Sequence, residues 1–107
     1  MILENERVDP SAGDNKAIKL ASKNGHVKIL NMLLEDERVD PSAGDNYTIK
    51  RASKNGFTEI VNMLLKDERV DPSTDNNYAL KQALEYGYTE IVNMLLKDDR
   101  VHLLSYA

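Results

Sequence analysis

Apolar residues recur along this chain in a fixed pattern. Ile29, Leu30, Leu33 and Leu34 form one set, Ile60, Val61, Leu64 and Leu65 a second, and Ile91, Val92, Leu95 and Leu96 a third. The i, i+1, i+4, i+5 spacing makes a broad stripe on one side of an α-helix, and such a stripe must be buried. Met32, Met63 and Met94 flank it. A shorter helix is predicted before each stripe, over about residues 16–23 in the first copy. Its buried face is Ile18, Ala21, Ser22, repeated as Ile49, Ala52, Ser53 and as Leu80, Ala83, Leu84. The alanine common to all copies leaves room for a neighbouring helix to approach.

The links between these helices carry their own signals. Asn24-Gly25, Asn55-Gly56 and Tyr86-Gly87 end the short helix, with glycine as the left-handed C-terminal cap. Thr58 and Thr89 are expected to cap the longer helix, with Glu59 and Glu90 complementing its positive end; Val27-Lys28 starts the first copy less well. Between copies runs Asp9-Pro10-Ser11-Ala12-Gly13-Asp14-Asn15, a turn in which proline presets φ and Asp and Ser bond nearby backbone. Gly13 suits a positive φ at the tip, and Asp14 or Asn15 is expected to cap the next helix. The third copy has Asp75 in place of that glycine, so a different tip geometry is expected there.

Asp9, Asp40 and Asp71 open successive copies, which sets the period at 31 residues. A period of this size marks a solenoid in which each unit stacks on its neighbours. The predicted fold is all-α, a helix-turn-helix solenoid in one domain over 1–107. Residues 1–8 (MILENERV) match the end of a longer helix and form an incomplete N-terminal repeat. The three repeats occupy 9–39, 40–70 and 71–101, and 102–107 is a tail, either folded over the open end or frayed. The chain starts inside a repeat, so it is either translated from within a once longer array or a fragment of one.

These residues resemble the ankyrin repeat, whose unit runs roughly TPLHxAAxxGHxxIVxxLL. Here the first copy runs KAIKLASKNGHVKILNMLL and the second YTIKRASKNGFTEIVNMLL. The unit is shorter than the family's usual one, and Lys19, Lys50 and Lys81 stand at the histidine of the TPLH signature, so the network around that histidine is not carried over. The short DPS-type unit is similar to those of giant DNA viruses and amoebae. The resemblance implies a protein–protein interaction module that binds its partner through the concave face of turn tips and first helices.

Composition narrows the function further. The chain is 41% hydrophobic and 30% charged with a net charge of −4, a globular balance in which Lys and Arg alternate with Asp and Glu. No basic stripe is visible in the sequence, so nucleic acid is not expected as a partner. There is no cysteine, which excludes disulfides, thiolate metal sites and a cysteine nucleophile and fits an intracellular, cytoplasmic protein. No apolar run approaches a membrane span, and the start lacks signal-peptide character.

No residue pattern points to catalysis, a metal or a cofactor. The DPSAGDN turn is rich in oxygen ligands, but it lacks the spacing of a calcium loop, and turn formation accounts for each residue. His26 is replaced by Phe57 and Tyr88 in the other copies, as befits packing at the helix link rather than chemistry, and His102 is expected to be solvated. Ser22 and Ser53 are core-edge residues, and the Asp-Glu-Arg runs at 36–38 and 67–69 and Asp-Asp-Arg at 98–100 read as a solvated rim.

What remains are positions that vary between copies and that stacking sets side by side, roughly 10 Å apart. The series Lys16, Tyr47, Tyr78, then Leu20, Arg51, Gln82, then Lys23, Lys54, Glu85, then Asn24, Asn55, Tyr86 form ladders on the first helices. Tyrosine and arginine are common interface hot spots. Tyr47, Arg51, Tyr78, Gln82 and Tyr86 are therefore the candidate partner-binding residues, for an unidentified protein. The alternative is surface drift after duplication in a structural fragment with no partner of its own. Open ends without a polar cap also favour weak self-association.

Overall fold

The computed structural model describes residues 8–102. Six helices run through them in three pairs: α1 (Ala12–Asn24) with α2 (Val27–Leu34), α3 (Ala43–Asn55) with α4 (Thr58–Leu65), and α5 (Thr74–Tyr86) with α6 (Thr89–Lys97). Each first helix packs on its own second helix. The first helices also form one layer, with α3 between α1 and α5, and the second helices form another, with α4 between α2 and α6. The expected partial helix falls almost wholly on 1–7, and the tail almost wholly on 103–107, both outside the described residues.

The core lies between the layers. Ile18, Ile49 and Leu80 from the first helices meet Leu30, Ile60, Leu64, Ile91 and Leu95 from the second, and all are fully buried. Ala21, Ala52 and Ala83 are buried as well, consistent with small side chains where α1, α3 and α5 stack closely. The predicted faces hold with three exceptions. Ile29 is 50% exposed, Leu96 42% and Leu84 55%. Leu84 stands where Ser22 and Ser53 are buried. Among the described residues no further helix pair follows α5 and α6 to cover it.

The glycine links behave as their sequence predicts. Gly25, Gly56 and Gly87 sit at φ 77°, 77° and 72°, and the Gly25 and Gly56 N–H groups donate to the carbonyls of Ala21 and Ala52. Tertiary packing adds a second reason for glycine. A Cβ on Gly56 would lie 2.8 Å from the Tyr88 ring, and one on Gly25 3.2 Å from the Phe57 ring. The aromatic residue of each link therefore rests on the glycine of the link before it. His26 has no such glycine before it among the described residues and is exposed, so it is not the packing residue expected.

The caps differ from expectation. Thr58 and Thr89 are the first residues of their helices, and Phe57 and Tyr88 occupy the cap positions without a side-chain bond. Nor do Asp14 and Asn15 cap α1. They belong to a left-handed turn of three successive residues, Gly13 at φ 66°, Asp14 at 57° and Asn15 at 62°. Asp75, Asn76 and Asn77 adopt the same turn at φ 55°, 55° and 61° with no glycine at all, so the third tip does not differ as expected. Left-handed backbone strains L-residues by about 1 kcal/mol or more each, least for Asn and Asp.

Bonds to the next repeat offset that strain. Asn15 Oδ1 accepts the Asp40 N–H and Asn46 Oδ1 the Asp71 N–H, both at 2.8 Å and both across 25 residues. Asn77 Nδ2 reaches the His102 carbonyl at 3.4 Å in the corresponding place. Thr74 Oγ1 donates to Asp45 Oδ1 at 2.8 Å. Asp9, Asp40 and Asp71 hold the turns themselves, each accepting both the N–H and the hydroxyl of the serine two residues on.

The Asp-x-Arg runs are structural staples rather than a solvated rim. Arg69 donates Nε and Nη2 to the two Asp67 carboxylate oxygens at 3.0 and 2.8 Å. The same guanidinium reaches back to the preceding repeat, to the Val39 carbonyl at 2.7 Å and the Leu34 carbonyl at 3.3 Å. Arg100 does the same with Asp98, Val70 (2.6 Å) and Leu65 (2.7 Å). The planar guanidinium suits this task because it presents several donors in a fixed fork. Each arginine thereby satisfies carbonyls at the end of a second helix, which have no partner within that helix.

Candidate recognition surface

Stacking of α3 against α5 creates a depression of about 230 Å³ on the first-helix layer, lined by Tyr47, Lys50, Arg51, Lys54 and Tyr78. Tyr47 and Arg51 share a face of α3 because they are four residues apart, and Tyr78 stands on α5 at the position equivalent to Tyr47. Three of the five expected partner-binding residues therefore surround one hollow. Gln82 is half-buried on α5 and lies outside its lining. Tyr86 also lies outside it. Tyr86 is 49% exposed at the end of α5, and its ring packs against Tyr88 with centroids 5.9 Å apart.

Lys54 stood in the varying ladder with Lys23 and Glu85 but not among the candidate residues, and Lys50 was not singled out by its sequence pattern. Lys50 is one of three lysines at the same position in every copy, and a search among varying positions passes over a constant one. Its ammonium lies 5.7 Å from the centre of the Tyr78 ring, within cation–π range, and 3.4 and 3.8 Å from the Asp45 and Asp75 carboxylates. Lys19 pairs with Asp14 at 3.1 Å in the first copy. The tip aspartates thus neutralise the lysines nearest to them. Asp45 is held below the usual carboxylate range, first by the Thr74 hydroxyl and then by the charge of Lys50.

Arg51 is differently placed. Its Nε is buried and makes no hydrogen bond. Lys54, one turn further along α3, has no ion pair among the described residues. Among the described residues no group of three His, Asp or Glu converges as a metal site would require. None of the described helices is long and apolar enough to cross a membrane.

Repeated helix pairs in two layers, with polar tips and a cationic, aromatic hollow across the first layer, define a helical repeat solenoid. The comparison with known families makes this specific. The chain belongs to the ankyrin repeat family: the model for ankyrin repeats, in three copies, matches residues 18–104. No curated protein and no solved structure gives a match. Ankyrin repeats are in general non-enzymatic protein–protein interaction modules.

Proposed function

We propose that the chain is an intracellular recognition module that binds a protein partner through its turn tips and first helices and performs no catalysis. The observation that carries this reading is the hollow between α3 and α5, where Tyr47 and Tyr78 line one depression together with Arg51, Lys50 and Lys54. Tyrosine and arginine supply large contact area and directed hydrogen bonds, and they dominate interface energetics when water is excluded around them. A stack held by bonds between repeats offers such residues on a rigid support, so little ordering cost accompanies binding. Gln82 and Tyr86 extend the same surface along α5.

The test compares the native chain with a variant carrying Tyr47→Ala, Arg51→Ala, Tyr78→Ala and Gln82→Ala, after circular dichroism shows equal helicity. The expected result is that a protein captured from cell lysate by the native chain is lost by the variant. Capture of the same protein by both would remove the face from consideration and favour the other reading, a structural piece of a longer array.

A further inference from the structure

We infer that the hollow between α3 and α5 receives a carboxylate side chain, so that the partner presents an Asp- or Glu-bearing segment of polypeptide. This rests on the recognition reading above and gives the partner's chemistry.

Charge is unevenly distributed over the fold. The right-handed parts of the first helices, residues 16–24, 47–55 and 78–86, hold seven of the 14 basic residues and one acid, Glu85. The rest of the chain holds seven basic residues against 17 acids. The net charge of −4 therefore conceals a cationic face on an otherwise acidic protein, contrary to the absence of a basic stripe inferred from sequence. The stripe goes unseen there because its members come from three segments separated by acidic turns.

Within that face neutralisation is local to the tips. Asp14, Asp45 and Asp75 neutralise Lys19 and Lys50 along the tip edge. Arg51, next to Lys50, and Lys54, one turn further along α3, line the hollow without an ion pair among the described residues; Lys23, in the ladder with Lys54, and Lys16, at the tip end of α1, make none either. Glu85 reverses the sign of that ladder at its third rung. The Arg51 guanidinium lines the hollow without an ion pair among the described residues, and a guanidinium's terminal N–H groups match a carboxylate, which accepts two parallel N–H bonds. Tyr47 and Tyr78 close the sides of the hollow and lower the local dielectric, which strengthens the pairing.

The same pattern disfavours a polyanion. A nucleic-acid strand carries a phosphate every 3.4 Å or so, and one laid across this layer would meet the row of tip carboxylates as well as the cations. A peptide needs only one or two carboxylates at the hollow and neutral or hydroxyl side chains near the tips.

The experiment uses an array of dodecapeptides in matched sets, with Asp or Glu, with Asn or Gln, or with phosphoserine at the same positions, together with oligouridylate RNA. Binding is read for the native chain and for Lys54→Glu, Arg51→Gln and Lys28→Glu, the last a control on α2, each checked for helicity. Acidic peptides should be retained, lose binding when amidated to Asn or Gln, and weaken about tenfold with Lys54→Glu and Arg51→Gln. Lys28→Glu should leave them unchanged. Equal binding of amide and acid peptides, equal sensitivity to Lys28→Glu, or tighter binding of phosphoserine or RNA would overturn the inference. If neutral peptides bind and are lost on Tyr47→Ala with Tyr78→Ala, the recognition reading stands and the carboxylate reading falls. If no peptide of any charge depends on the face, both fall.

Discussion

Replacement of Arg69 by alanine should loosen the junction between the first and second repeats. The guanidinium is 41% exposed on its side chain, so its ion pair with Asp67 contributes little by itself, about 0.5 kcal/mol after solvent screening. The bonds to the preceding repeat matter more. The 2.7 Å contact with the Val39 carbonyl is charge-assisted and partly buried, and the 3.3 Å contact with Leu34 is weaker. Together with the Asp67 carboxylate, 15% exposed and left without its cation, the loss amounts to about 2 kcal/mol. For a domain of this length that lowers the melting temperature by roughly 10 °C. Arg69→Lys keeps the charge but not the fork, so it should lose more than half as much. Lys66→Ala, at an exposed position just beyond α4, should leave stability within about 0.5 kcal/mol of native. Thermal and urea unfolding followed by circular dichroism measures all three. A native-like melt for Arg69→Ala, or for Arg69→Lys, would refute the staple.

Other perturbations test other parts of the fold. Gly56→Ala combines left-handed strain with overlap of the Tyr88 ring, whereas Gly87→Ala meets nothing within 4 Å. Urea midpoints should therefore place the first about 1 kcal/mol below the second, and equal losses would show that the aromatic packing adds nothing. Ser53 is fully buried and its hydroxyl makes no hydrogen bond, so Ser53→Ala should leave stability unchanged or raise it by up to about 1 kcal/mol; a clear loss would mean the hydroxyl has a partner in solution. Acid should weaken the staples. The Arg38 side-chain hydrogen bonds lower the Asp36 carboxyl from 3.8 to about 2, and the Arg69 and Arg100 side-chain bonds shift Asp67 and Asp98 in the same direction. A carboxyl depressed in the folded state stabilises fully above its unfolded value and loses that contribution as pH falls through the folded one. The part of the acid response that Asp67 carries should thus set in as pH falls below about 4 and disappear in Asp67→Asn; an unchanged acid limb in that variant would count against it.

Much of the fold was legible because its signals are local and repeated. The stripe of Ile60, Val61 and Leu64 needs only helical periodicity to be recognised, and Gly25, Gly56 and Gly87 end helices by backbone conformation alone. The candidate surface was legible in part. Tyr47, Arg51 and Tyr78 were found as varying rungs on one helix face, but Lys50 and Lys54 became neighbours of Tyr78 only through stacking. Caps were misread where a local rule met a tertiary competitor. Asn15 and Asn46 were suited to cap the helices that follow them, yet their carbonyls serve the next repeat's backbone.

The sequence by itself determined the period, the helix pairs, their buried faces and membership of a stacked array, since each follows from spacings within one copy. The tertiary structure alone decided which polar residues bind across copies, that arginines staple one unit to the last, that Leu84 stays exposed, and that cations gather on one face. The physical reason is distance along the chain. These contacts join residues 25 to 35 positions apart, and a side chain with several possible partners commits to one only when stacking brings it there.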